Sequence, residues 1–190
     1  MAKSLKQPTT PTAERCCVTD NMRFANSVVS VEASAPAARL SLRATQKGAI
    51  AYAKHLGFSL PKKPGQTVSK SAKHALWLGP DEWLIIDEKD PVAKLMPSRA
   101  NAEFSGTDIS HRNIAIKLDG QGAVNTLNAA CPRDLSITAF PVGTASRTIF
   151  GKAEIVLFRT GKESFRLECW RSFAPYVWTY LLDAAQDAKN

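Results

Sequence analysis

The sequence predicts an α+β fold, with mostly antiparallel sheets and packed helices. Two patterns carry that expectation. Short runs with period-two apolar alternation recur along the chain, bounded by Gly and Pro. Helical periodicity appears in segments that interrupt hairpins rather than alternate with single strands, which argues against a doubly wound parallel sheet. The bulk agrees: 190 residues, 44% hydrophobic and 22% charged, suffice for one domain with a sizeable core.

Residues 1–26 are rich in Thr, Pro and Lys and lack apolar periodicity, so they read as a flexible arm. Residues 27–190 read as the α+β domain, with room for two lobes at about 27–110 and 111–190. Pattern begins at Val28-Val29-Ser30-Val31, and RLSLRA (residues 39–44) alternates as a half-buried strand does. Thr45 can cap a helix whose Ile50, Ala53 and Gly57 share one side, with Gly57 closing it. Residues 60–65 are a Pro- and Gly-punctuated loop.

HALWLGPDEWLIID (residues 74–87) reads as two strands about a turn at Gly79-Pro80-Asp81-Glu82. Residues 91–99 look like a short helix. Strands follow near residues 106–110 and at Ile114-Ile116-Leu118. Gly120 to Cys131 reads as a helix with Ala123, Val124, Leu127, Ala130 and Cys131 on one stripe and Pro132 as its stop. Residues 148–160 and 165–170 read as an antiparallel pair turning at Gly161. Phe165, Leu167 and Cys169 take one face; Arg166, Glu168 and Trp170 take the other. In the last helix Ser172 is the expected N-cap, and Phe173, Val177, Tyr180, Leu181 and Ala184 form the apolar stripe.

Several function classes find no support. The net charge is +8, but the cations are scattered rather than massed with exposed aromatics, so nucleic-acid binding is not expected. Docking on an acidic partner suits the charge better. No apolar run is long enough for a membrane span, and the N-terminus has no signal-peptide core. A cytoplasmic protein with four reduced cysteines is the expectation; adjacent Cys16 and Cys17 lack zinc-ligand spacing. There is no dinucleotide fingerprint, no phosphate loop and no nucleophile elbow. Gly120-Gln121-Gly122 reads as a plain strand-to-helix turn. Asp108, Ser110 and His111 read as a strand terminus whose polar groups satisfy each other and the backbone. His55, His74 and His111 have no ligand-spaced companions, so no catalytic, cofactor or metal site is assigned. Trp170 and Trp178 lie off the apolar stripes of their elements and are candidates for interface anchors.

Four strings give a more specific signal. LWLGPDEWLII (residues 76–86), TDISHRNIAIKLDGQGAVNTLNAACPRDL (107–135), FPVGTASRTIFGKAEIVLFR (140–159) and FRLECWRSFAPYVWTYLLDA (165–184) stand in order and spacing. Together they resemble the sarcosine oxidase gamma subunit family over about residues 28–185. The resemblance implies a truncated aminomethyltransferase-like fold without a cofactor of its own. It implies alpha, beta and delta subunits as partners, in a heterotetramer that oxidatively demethylates sarcosine to glycine. Hydrogen peroxide forms, and the one-carbon unit passes to tetrahydrofolate. FAD, FMN, NAD and zinc belong to the partner subunits. On that footing Arg147, Trp170, Arg171, Phe173 and Trp178 are the expected partner contacts. The alternative is a stand-alone folate-binding module, for which Asp108, Arg112 and Arg147 are the residues on offer, but none of them falls on a folate-binding motif of the aminomethyltransferase family and no such site is carried over.

Overall fold

In the computed structural model, which describes residues 22–96 and 103–188, two antiparallel sheets pack face to face and carry helices on their outer faces. The chain runs β1 (Arg23–Ala25), β2 (Ser30–Ala33), β3 (Ala38–Ala44), α1 (Gln46–Leu56), β4 (Thr67–Lys70), β5 (Lys73–Gly79) and β6 (Glu82–Asp87). After a 3₁₀ turn at Val92–Lys94 come β7 (Phe104–Asp108), β8 (Asn113–Asp119), α2 (Ala123–Asn128), β9 (Ala145–Phe150), β10 (Ala153–Arg159), β11 (Ser164–Trp170) and α3 (Ala174–Asp187). One sheet has the order β1-β2-β8-β11-β10-β9, the other β4-β5-β6-β3-β7.

Period-two alternation explains why both sheet faces are covered. In β11, Phe165, Leu167 and Cys169 join Val177, Leu181 and Leu127 in the core beneath α2 and α3. In β3 and β6, Leu40, Leu42, Trp83 and Ile85 join Tyr52 and Leu56 in the core beneath α1. The intervening residues of β5, β6 and β10 (Leu76, Leu84, Ile86, Val156 and Phe158) meet between the sheets as a third apolar layer. Few strand positions therefore face water in the middle of either sheet.

Several boundaries differ from expectation. Arg23–Ala25 is a strand paired to β2, so the expected arm is shorter at this end; its remainder, with Cys16 and Cys17, lies outside the described residues. The expected helix at residues 91–99 is a 3₁₀ turn in its described part, and residues 97–99 lie outside. The strand expected at 106–110 runs from Phe104 to Asp108, and β4 went unforeseen. Residues 148–160 are not one strand but parts of two, because Gly151 takes φ 59° and turns β9 into β10. The helix expected from Gly120 to Cys131 contracts to Ala123–Asn128, since Gly120 adopts φ 120°. Ser172 does not cap α3; Phe173 holds that position without a side-chain bond.

In α1 the cap assignments match: the Gly48 N–H donates to Thr45 Oγ1, and Gly57 closes the helix at φ 83°. Its inward stripe, however, is Gly48, Tyr52 and Leu56, while Ile50 faces out. The helix carries two apolar stripes, and periodicity alone chose the wrong one.

Candidate functional site

β11 ends at Trp170, and a turn carries the chain into α3. That turn is tied to the loop before β8: the Arg171 N–H donates to the Arg112 carbonyl at 2.7 Å, and the Phe173 N–H donates to the Trp170 carbonyl at 2.9 Å. The backbone thus holds three aromatic side chains at the surface. Trp170, Phe173 and Tyr176 are 41%, 39% and 40% exposed. The Trp170 and Phe173 rings lie 5.9 Å apart, and the Arg112 guanidinium sits 5.3 Å from the Trp170 ring centre. Arg171 is exposed beside them. A cation stacked on an indole keeps a polar rim around an apolar centre, the composition of interface hot spots.

Arg147 reaches the same end of the molecule from β9. It lines a cavity of about 40 Å³ at the mouth of the inter-sheet seam, together with Trp170, Arg112, Glu82, Glu154 and Glu168. Its guanidinium grips Glu82 of the other sheet at 2.5 Å and 3.3 Å, and this bond pushes its pKa above the ordinary arginine value. Glu82 is also bound by Arg43 at 3.1 Å. Arg147 is therefore held by its own chain and acts as a staple between sheets. Trp178 corrects the expectation outright. It is 6% exposed and packs in the core under α3, so it cannot anchor a partner. The structure thus gathers Arg147, Trp170, Arg171 and Phe173 at one end and removes Trp178 from the set.

Behind the cavity lies a charge network that the sequence reading missed. Arg39 Nε meets Glu168 Oε2 at 2.6 Å, Arg166 Nε meets Glu168 Oε1 at 2.8 Å, and Arg166 Nη1 continues to Glu88. Arg39, Arg166 and Glu168 are at most 2% exposed. Each lies on a strand between two core residues, so alternation points it into the seam between the sheets. Arg166 and Glu168, two charged residues alternating with the core residues of FRLECW, were the available signal.

The remaining candidates stay apart. Asp108 Oδ1 accepts from the Ser110 hydroxyl at 2.6 Å and N–H at 2.9 Å, which lowers its pKa, as a self-satisfied strand terminus should. Asp108 lines a surface hollow with His111, whereas Arg112 and Arg147 line the seam cavity. The three do not converge on one ligand site. Among the described residues no group of three His, Cys, Asp or Glu is placed to hold a metal ion. Cys131 and Cys169 are buried free thiols, and burial pushes Cys169 up to about 12. No helix among the described residues is long and apolar enough to cross a membrane.

Comparison with known proteins places this geometry. A family model described as sarcosine oxidase, gamma subunit family, matches residues 43–187. The chain is 32% identical to sarcosine oxidase subunit gamma of Corynebacterium sp. (strain U-96) over 154 residues, 78% of this chain and 75% of that one. It is 31% identical to the subunit gamma of Corynebacterium sp. (strain P-1), over 74% of this chain and 70% of that one. A chain of the heterotetrameric sarcosine oxidase from Corynebacterium sp. U-96, solved in complex with pyrrole 2-carboxylate, superposes with a TM-score of 0.81 at 29% identity. That match covers 88% of this chain and 89% of the other. The aminomethyltransferase T of the glycine cleavage system from Bartonella henselae shares the fold, with a TM-score of 0.59 at 14% identity over 84% of this chain and 49% of that one.

Proposed function

The chain belongs to the sarcosine oxidase gamma subunit family, and on that premise we propose that it is the non-catalytic gamma subunit of a heterotetrameric sarcosine oxidase. The observation that carries the reading is the superposition at TM-score 0.81, over 88% of this chain, on a chain of such a heterotetramer. In this role it supports alpha, beta and delta partners in the cytoplasm. Those partners hold the FAD, FMN, NAD and zinc, oxidise sarcosine and hand the one-carbon unit to tetrahydrofolate. The exposed Trp170, Phe173 and Arg171 supply a partner contact: a desolvated tryptophan and an arginine free for a carboxylate are the usual high-energy members of such surfaces.

Co-expression of the tagged chain with the alpha, beta and delta subunits tests this. The expected result is a stoichiometric complex whose eluate shows flavin absorption. Trp170→Ala should weaken assembly by at least tenfold and leave the isolated chain folded. A tagged chain that emerges alone and colourless, and binds tetrahydrofolate by itself, would overturn the subunit reading in favour of the folate module.

A further inference from the structure

α1 carries an exposed isoleucine beside two half-buried alanines, Ala49 and Ala53, on the side away from its inward stripe. Gly48, Tyr52 and Leu56 face the core, whereas Ile50 on the opposite side is 57% exposed. A surface helix needs one apolar stripe to hold it down, and a large apolar side chain left in water at the edge of a groove marks a contact surface. Ala49, Ile50 and Ala53 form one wall of an open groove of about 730 Å³. Phe58, Leu60 and Pro61 form the other wall, with Pro80 and Trp83 at its end. The groove is built in advance. The Trp83 Nε1–H donates to the Pro61 carbonyl at 2.8 Å, Lys70 Nζ donates to the Gly57 carbonyl at 2.9 Å, and Gly57 itself turns the chain out of α1. A wall held this way loses little freedom when something docks on it.

The rim carries the sign of the occupant. Lys54 and Lys62 line the groove, no Asp or Glu does, and neither lysine has an ion-pair partner among the described residues. We propose that this groove docks an apolar segment flanked by carboxylates, carried by one of the partner subunits; the proposal rests on the subunit reading above. Charge complementarity sets the choice. A second copy meeting this face about a twofold axis would bring the same two lysines against themselves. Residues 1–21 carry Lys3, Lys6 and Arg15 against Glu14 and Asp20, so that segment is no anionic complement either.

The test uses the complex reconstituted from this chain and purified partner subunits. Ile50→Lys and the double charge reversal Lys54→Glu/Lys62→Glu both alter exposed positions, and circular dichroism of the isolated variants should match the wild type. Each should lower the assembly affinity at least tenfold, and raising the salt should weaken the wild type far more than the charge-reversed variant. A photo-crosslinking residue at position 50 should capture a partner peptide rich in apolar residues with Asp or Glu beside them. If the wild type assembles and both variants assemble equally well, or the captured peptide is basic, the groove proposal falls and the subunit reading stands. If the wild type fails to assemble, the subunit reading falls first. A homodimer by light scattering that Ile50→Lys dissolves would make the occupant a second copy and overturn the proposal.

Discussion

Single positions show how local rules are reversed by their surroundings. Gly48 sits inside α1, where Ala would ordinarily gain about 1 kcal/mol of stability. Here a methyl group would fall within the contact distance of the Glu103 carbonyl oxygen, which already accepts the Thr45 N–H at 2.9 Å. Gly48→Ala should therefore destabilise the chain, by about 1–3 kcal/mol on the scale of overpacked sites, as read from denaturant unfolding. His74 gives a pH-dependent counterpart. Burial against Phe158 lowers its pKa below the usual 6.5, with Arg166 and Lys117 adding to the effect and Glu88 and Asp87 opposing it. The unfolded chain then binds the proton more readily than the folded one. Stability held above pH 6.5 should thus be lost as the pH falls from there through the depressed folded value. Unfolding midpoints at pH 7.5 and 5.5 should converge in His74→Gln, which keeps a partner for Ser69 but cannot titrate.

At the scale of elements, β11 and α3 separate two tryptophans that look alike in sequence. Both stand off the simple stripe, yet Trp170 ends a strand at the surface and Trp178 is buried beside Val177. α3 has a stripe wide enough to admit Val177 and Trp178 side by side, because α2 packs against it while both cover the sheet. Trp178→Ala should cost the isolated chain about 3–5 kcal/mol, the range for a large core truncation, while Trp170→Ala should leave its melting point nearly unchanged. Equal melting points for the two variants would contradict this placement. The same comparison marks the reach of sequence reasoning. Period two and the turn residues of GPDE were enough to place β5, β6, β8 and β11 and to name the face of β11 under the helices, but not the inward stripe of α1. They did not reveal β4, whose TVSK has no clear alternation of buried and open sites, nor the break at Gly151, where only the left-handed φ shows the turn. The candidate contact residues were legible as types of residue; their spatial grouping came from strand pairing that brings residues 112, 147 and 170 together.

Across the whole molecule, the seam between the sheets joins an apolar layer to a chain of alternating charges, buried at Arg39, Glu168 and Arg166 and reaching the surface at Glu88. Desolvation makes such a chain a weak source of net stability, but breaking it is costly because an uncompensated charge stays behind. Glu168→Leu leaves the buried Arg39 without a carboxylate and Arg166 with Glu88 alone, and should cost about 3–5 kcal/mol. The triple variant Arg39→Met/Arg166→Met/Glu168→Leu should recover much of that loss in denaturant unfolding. Failure of the triple variant to recover would mean that the charges position the sheets as well as neutralise one another.

The route of the chain through the sheets has one more consequence. β2 pairs with β1 and with β8, and Ser30 lies opposite Asp119, 89 residues later. A nascent chain leaving the ribosome can close the β3–β7 sheet as soon as residue 108 emerges, since all its strands lie between residues 38 and 108. Its earliest strands must wait, bare along one edge, until β8 appears. β1 and β2 are therefore made before the strand they dock on, and the hazard of misplaced pairing falls on them rather than on the strands of the other sheet.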